Sequence, residues 1–128
     1  MGQQQLLLVI LGVIIVGLAI SVGIMVFKGN AVESSRSAII NDLSYFAMRA
    51  RQMYFKPRTL GGTEHDFTGV TLNMLTTLSE NENGRYYIES AGRDSLILVG
   101  VGKIVVHADT IRIRMMTNEA TQRIEIIN

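Results

Sequence analysis

The feature that most constrains this chain is an uninterrupted apolar segment near its start. Leu6–Phe27 reads LLLVILGVIIVGLAISVGIMVF, contains no charged residue, and has Ser21 as its only polar side chain. At 1.5 Å per residue, a helix of about 22 residues spans roughly 33 Å, close to the bilayer's hydrocarbon thickness of about 30 Å. The segment therefore predicts a helix that crosses a membrane or is buried among other apolar surfaces.

A secretory signal peptide is the main alternative interpretation of this segment. Its apolar region would be roughly 7–15 residues long, with basic residues before it and a small-residue cleavage site after it. The run here is longer, and the preceding MGQQQ carries no Lys or Arg. We therefore favour a spanning helix. The orientation of the helix in the membrane is left open. Lys28 and Arg36 follow the run, so the positive-inside rule alone puts the C-terminal side in the cytoplasm. If a basic leader has been removed, however, the rule no longer decides the orientation.

The composition of the chain excludes several classes of protein. Its 128 residues allow one domain and little more, and 48% of them are hydrophobic while only 18% are charged. This composition excludes intrinsic disorder, and the net charge of +1 argues against nucleic-acid binding. The absence of cysteine excludes disulfides, zinc–thiolate sites and a cysteine nucleophile.

The sequence predicts that helix continues beyond Gly29 but becomes amphipathic. Asn30 and Glu33 have the spacing of a capping box, yet no proline interrupts the pattern, so we expect a largely continuous helix from about Gln3 to Phe55. Lys56-Pro57 ends it. Apolar residues recur on one face, at Val32, Ile39, Leu43, Phe46, Ala50 and Met53. Charged residues are expected in solvent on the other faces, at Glu33, Arg36, Asp42, Arg49 and Arg51.

The remainder of the chain predicts a loop and then an antiparallel meander. Residues 56–69 (KPRTLGGTEHDFTG) have loop composition, and 70–78 is ambiguous between an extended segment and a short helical turn. Turn signals at Asn83-Gly84 and Gly92-Arg93-Asp94 and a bend at Gly100 and Gly102 separate about four or five short strands. The predicted strands are Arg85–Ser90, Leu96–Val99, Lys103–His107, Thr110–Met116 and Gln122–Ile127.

We therefore predict an α+β fold in which a long N-terminal helix, apolar and then amphipathic, packs on a small antiparallel sheet. Residues 1–29 form the apolar transmembrane or assembly helix, and residues 30–128 form the globular domain. Within that domain, 30–55 is the amphipathic half of the helix, 56–69 is the loop and 84–128 is the sheet. The amphipathic helix is the element available to cover the sheet's apolar face.

This arrangement resembles the type IV pilin class, which includes pilus subunits, secretion pseudopilins and their archaeal relatives. The resemblance covers the whole chain as architecture and Gln3–Phe27 as a motif. It implies a subunit that inserts in the inner or cytoplasmic membrane, is processed by a prepilin peptidase, and is then stacked by an assembly machinery into an extracellular filament used in cell adhesion. The implied assembly helix comprises Leu6, Leu7, Val9, Ile10, Val13, Ile14, Ile15, Val16, Leu18, Ile20, Ile24 and Phe27. The implied processing region comprises Gly2, Gln3, Gln4 and Gln5.

The start of the chain departs from the usual pattern of that class. The pattern ends a basic leader in glycine and carries glutamate at the fifth position of the mature chain. Cleavage after Gly2 would put Leu7 at that position, and a mature start at Met1 would put Gln5 there. A glutamine can accept a hydrogen bond from a neighbour's terminal amine, but it supplies no charge, so burying that amine would cost more.

Chemical candidates in the rest of the sequence are few. Glu64-His65-Asp66 has the residue types of a metal or acid–base site, but adjacent side chains rarely converge, so we interpret it as a polar loop. His107-Ala108-Asp109 is interpreted as a strand end and turn. Gly100-Val101-Gly102 lacks the rest of a dinucleotide fingerprint. Arg112 and Arg114, beside Arg123, are interpreted as a solvated sheet face rather than a site for an anionic partner.

The sequence thus predicts a structural protein with no cofactor and no enzymatic activity. The leading hypothesis is a self-assembling subunit of an extracellular filament, with other copies of itself as partner. The alternative is a small envelope domain held by a single-pass helix, or a minor pseudopilin-like binding module.

Overall fold

The computed structural model describes residues 2–106 and 108–128, and the predicted α+β class is confirmed. Helix α1 covers Gly2–Phe55 and is followed by a 3-10 turn at Arg58–Leu60 and a short helix α2 at Leu72–Leu75. Four strands follow, with bounds β1 Gly84–Ala91, β2 Ser95–Val106, β3 Asp109–Asn118 and β4 Gln122–Ile126. The chain divides into two compact units, of which the first ends at Glu33 and the second is Ser34–Asn128.

The second unit is a two-layer structure in which the end of α1 packs on the sheet. Ile39, Leu43, Phe46 and Ala50, all on the predicted apolar face, are buried. Val32, which lies in the first unit, and Met53 are only half-buried. Ala47 and Tyr54 are buried as well, so the core of the face runs from Ile39 to Tyr54.

The four strands form an antiparallel meander in the order β1-β2-β3-β4. Strand β3 alternates cleanly, because Ile111, Ile113, Met115 and Thr117 point to the covered face and are buried. The turn predicted at Gly92-Arg93-Asp94 joins β1 to β2.

The bend predicted at Gly100 and Gly102 does not divide the strand, because β2 runs through both residues, although its register with β3 shifts between Val101 and Val105. A Cβ on Gly100 would lie 2.6 Å from Ile39 Cγ2, and one on Gly102 would lie 3.0 Å from Ile39 Cδ1. The close approach of α1 to the sheet therefore explains Gly100, and at Gly102 it acts together with Ile111 on β3, whose Cβ would lie 2.9 Å from an added Cβ. The residues predicted as separate strands, Leu96–Val99 and the start of Lys103–His107, belong to β2; His107 itself lies outside the described residues.

The segment that follows α1 closes the end of the helix. As predicted, α1 ends just before Lys56-Pro57. The Met53 carbonyl accepts hydrogen bonds from the Thr63 N–H (2.8 Å) and hydroxyl (3.1 Å), and the Tyr54 carbonyl accepts one from the His65 N–H (2.7 Å). Backbone carbonyls that a helix end leaves unpaired are satisfied in this way.

Residues 63–75 also extend the core, a role that their loop-like composition does not reveal. The ring of Phe67 stacks on Tyr54 with centroids 4.6 Å apart, and Phe67 is fully buried. Val70 and Leu75, which follow Phe67 in the chain, are buried as well. The stretch 70–78, which the sequence left ambiguous, contains the single-turn helix α2.

Candidate membrane and assembly segment

The apolar side chains of Leu6–Phe27 are exposed all around α1. The most apolar stretch of the helix has a mean hydropathy of 3.0, and none of that stretch is buried within the chain. Exposed fractions range from 48% at Ile10 to 74% at Phe27. Every predicted assembly residue is in this exposed set: Leu6, Leu7, Val9, Ile10, Val13, Ile14, Ile15, Val16, Leu18, Ile20, Ile24 and Phe27. This part of α1 is long and apolar enough to cross a membrane, and it is compatible with membrane association.

The one polar side chain of the segment is satisfied within the helix. The Ser21 hydroxyl donates to the Gly17 carbonyl one turn earlier, at 3.0 Å. In a medium without water, an unpaired hydroxyl would cost free energy, so this internal bond lets the helix surface be apolar along its whole length. The segment thus needs no external polar partner.

The polar end of α1 carries amides rather than charges. Gly2, Gln3, Gln4 and Gln5 are helical and exposed. Met1, which the sequence interpretation considered as a mature start, lies outside the described residues. The glutamines therefore add hydrogen-bonding capacity, and no carboxylate, to this end of the apolar helix.

A second set of exposed apolar side chains lies on α1 within the second unit. Tyr45, Met48 and Phe55 are each 53% exposed. Their spacing of three and seven residues puts them on one side of the helix, and this set does not include any of the residues buried against the sheet. The single apolar face predicted from the sequence does not contain this stripe.

Asp42, expected in solvent, is instead the centre of a half-buried polar network, so that expectation was wrong. Its Oδ2 accepts hydrogen bonds from Asn81 Nδ2 (3.0 Å), Asn83 Nδ2 (2.9 Å) and the Tyr86 hydroxyl. Burial alone would raise the pKa of Asp42, but the hydrogen bonds from Asn83, Tyr86 and Asn81 outweigh it and hold the pKa below 3.8. Burial and the bond to Asp42 raise the pKa of Tyr86. The network ties α1 to β1 and to the segment before it.

Asp42→Asn is expected to lower the free energy of unfolding by about 1 kcal/mol at neutral pH, because an amide accepts these three bonds less strongly than a carboxylate. Since folding lowers the pKa of Asp42, its stabilisation is present above about pH 4 and is lost as pH falls through the folded-state pKa. The difference between wild type and variant should therefore shrink in acid. Urea unfolding of the detergent-solubilised chain, followed by tyrosine near-UV circular dichroism, measures it.

Asp94→Asn, in the exposed turn between β1 and β2, is the matched control for that measurement. This substitution should leave the midpoint of urea unfolding nearly unchanged. Equal losses in the two variants, or a difference that does not depend on pH, would contradict a special role for the Asp42 carboxylate.

The three side chains of Glu64-His65-Asp66 do not converge. Glu64 pairs with Arg58 at 3.6 Å, and the His65 ring contacts Tyr54 edge-on at 5.1 Å. Asp66 accepts hydrogen bonds from the Thr68 hydroxyl (2.5 Å) and N–H (2.8 Å), and these bonds lower the pKa of Asp66. Across residues 2–106 and 108–128, no group of three His, Asp or Glu side chains is placed to hold a metal. The pair His107–Asp109 lies partly outside the described residues.

The arginines of the outer sheet face are not a uniform cationic patch. Arg114 Nε lies 2.8 Å from Glu89 Oε2, and Arg114 Nη1 lies 3.5 Å from Glu125 Oε2. This places Arg114, on β3, between a carboxylate on β1 and a carboxylate on β4. Arg112 and Arg123 share the face by register, opposite Val101 and Met116 respectively.

Comparison with protein-family models, curated protein sequences and solved structures gives no significant match. The class that the structure itself defines is an α+β protein with a long N-terminal helix, apolar enough in its first half to span a membrane, packed on a four-stranded antiparallel sheet.

Proposed function

We propose that this chain is a structural subunit that self-assembles, through Leu6–Phe27, into an extracellular filament of the type IV pilus kind. The observation that carries the proposal is the all-round exposure of that segment in a chain whose second unit has a buried core of its own. The inner or cytoplasmic membrane holds the segment before assembly, and sister copies hold it afterwards.

The size of the apolar surface makes a cover obligatory. Burying one Leu, Ile, Val or Phe side chain is worth about 1.5–3 kcal/mol, so leaving this whole segment in water would cost on the order of tens of kcal/mol. Lipid and a bundle of like helices both remove that cost. A helix that is apolar on every side suits either environment.

The stripe of Tyr45, Met48 and Phe55 favours copies of the chain over lipid as the final cover. These residues lie beyond the run that a hydrocarbon core of about 30 Å accommodates. A membrane anchor leaves them in water, whereas neighbouring subunits in a bundle supply apolar contacts along more of α1. Head-to-tail contacts that do not close into a ring produce open fibres.

The alternative function is a membrane-anchored envelope domain, or a minor pseudopilin-like binding module, that acts without forming a fibre. Its support is the second unit itself, Ser34–Asn128, whose core is filled by residues of that unit. Under this alternative Leu6–Phe27 remains in lipid.

Shearing of cells that express the full chain separates the two functions. Negative-stain microscopy of the sheared material, with antibody against the chain, is expected to show labelled thin fibres, and a strain lacking the chain should show none. Recovery of the chain only as detergent-soluble monomers from the membrane fraction would refute the filament and leave the anchored domain.

A further inference from the structure

The two edges of the sheet differ in how they are protected. The first part of the β1 edge, residues 84–86, is covered by the segment before it: the Ser79 carbonyl accepts from the Tyr86 N–H (2.8 Å), and the Asn81 N–H donates to the Gly84 carbonyl (3.0 Å). Within the described residues, β4 pairs with β3 alone. Its outer edge is therefore open, a feature that natural sheets usually block.

The open edge is also apolar on one face. Ile124 is opposite Met115 and Ile126 is opposite Ile113, so both share the face that α1 covers. Met115 and Ile113 are fully buried, whereas Ile124 is 42% and Ile126 is 55% exposed. The apolar face of the sheet thus continues onto β4, beyond the part that α1 covers.

The hydrogen-bond pattern of β4 fixes which residues offer backbone groups outward. The Ile127 N–H donates to the Arg112 carbonyl at 2.9 Å. Because bonded and non-bonded pairs alternate in an antiparallel ladder, the odd-numbered residues of β4 bond to β3 and the even-numbered residues point their N–H and C=O groups outward. Ile124 and Ile126 therefore present both the free backbone groups and the exposed apolar side chains.

We propose that β4 pairs antiparallel with β4 of a second copy, centred on Ile124. In this register Ile124 faces the partner's Ile124, so the outward backbone groups of the two strands meet. The charges then match without rearrangement, because Arg123 faces the partner's Glu125 and Glu125 faces the partner's Arg123. Opposite charges directly across two strands stabilise pairing, and like charges oppose it.

The charge pairs would join a network that each copy already has. Glu125 lies 3.5 Å from Arg114, and Arg114 lies 2.8 Å from Glu89. Addition of the partner's Arg123 extends this line of alternating charge across the new contact. On the other face, Ile124 meets its own counterpart and Ile126 meets the partner's Gln122, which covers part of the apolar surface left by α1.

The contact is two-fold and closed, so it is separate from the open-ended assembly proposed for Leu6–Phe27. Five residues per copy are far fewer than the roughly 20–30 residues a side of a stable interface. The pairing is therefore weak in dilute solution and strengthens where copies are concentrated, as in a membrane. A covalent trap is the suitable probe.

Ile124→Cys in the full detergent-solubilised chain tests the proposal, since the natural chain has no cysteine. Bonded antiparallel pairs have Cα atoms about 5.5 Å apart, within the range that a disulfide spans. Mild oxidation is expected to give a dimer on a non-reducing gel. Ser90→Cys, exposed on β1 at the opposite edge of the sheet, is the matched control and should stay monomeric.

Charge reversal makes the test specific to the register. In the Ile124→Cys background, Arg123→Glu alone or Glu125→Arg alone should slow dimer formation about tenfold, because each replaces two attractive pairs by two repulsive ones. A mixture of the two variants restores both attractive pairs, so a mixed dimer, identified by mass, should form at the original rate. Its recovery also shows that both variants fold. Any of three results would overturn the proposal: Ile124→Cys cross-links no faster than Ser90→Cys, charge reversal does not change the rate of dimer formation, or the mixture of the two variants does not regain the original rate.

Discussion

Replacement of Ile15 by Asp is expected to abolish the proposed filament assembly while leaving the chain in the membrane. Ile15 is 57% exposed in the middle of Leu6–Phe27, where assembly would enclose it among neighbouring helices. An unpaired buried charge costs several kcal/mol, and a filament repeats that cost in every subunit. Membrane insertion of a single Asp at a helix centre costs only about 2.5–3.5 kcal/mol, which the remaining apolar residues outweigh. Val16→Asp should behave in the same way.

Two measurements on the same cells check this prediction. Carbonate-washed membranes should retain the variant at the wild-type amount, and sheared fractions should contain no fibres. Thr77→Asp, on the exposed surface of the second unit, is the matched control and should assemble normally. Fibres of normal length from Ile15→Asp would show that this segment is not the assembly core. Loss of the variant from the membrane would contradict the expected retention and would attribute the missing fibres to failed insertion.

The elements best predicted from sequence are those whose cause is local. Leu6–Phe27 can be recognised from composition alone, because an apolar run without charge needs apolar surroundings in any fold. The end of α1 follows from Pro57, whose effect on the preceding backbone does not depend on tertiary contacts. Strand β3 follows from strict alternation at 110–116, since period-two burial is the direct signature of a half-covered strand.

The features that sequence did not reveal depend on what lies across the core. Asp42 reads as a surface carboxylate on a helix, and only the fold brings Asn81, Asn83 and Tyr86 to it. The open edge of β4 could not be predicted from sequence either, because the length and position of α1 determine how far Ile124 is covered. Phe67 is buried although its neighbours have loop composition, since its partner Tyr54 lies on α1.

Gly100 is the clearest case of a residue whose meaning changes between sequence and structure. A glycine between two apolar runs predicts a bend, yet its backbone continues β2 and its pairing with Tyr86 and Ile113 is regular. What requires glycine is space: a Cβ would meet Ile39 Cγ2 at 2.6 Å and Tyr86 Cε1 at 3.1 Å. Interiors packed at crystal-like density cannot absorb such an overlap without moving an element.

Gly100→Ala is therefore expected to lower the free energy of unfolding of the second unit by about 2–3 kcal/mol, the cost typical of forcing an extra methyl into a filled core. Urea unfolding of the detergent-solubilised chain, followed by near-UV circular dichroism, measures the loss. Gly69→Ala is the matched control, because its Cβ would make only an ordinary contact with Thr63 Cγ2 at 3.9 Å. If the cause is the overlap with Ile39, Ile39→Ala in the same chain should recover part of the loss, and the two substitutions should be strongly non-additive. Additive losses would contradict the close approach of Ile39 on α1 as the reason for this glycine.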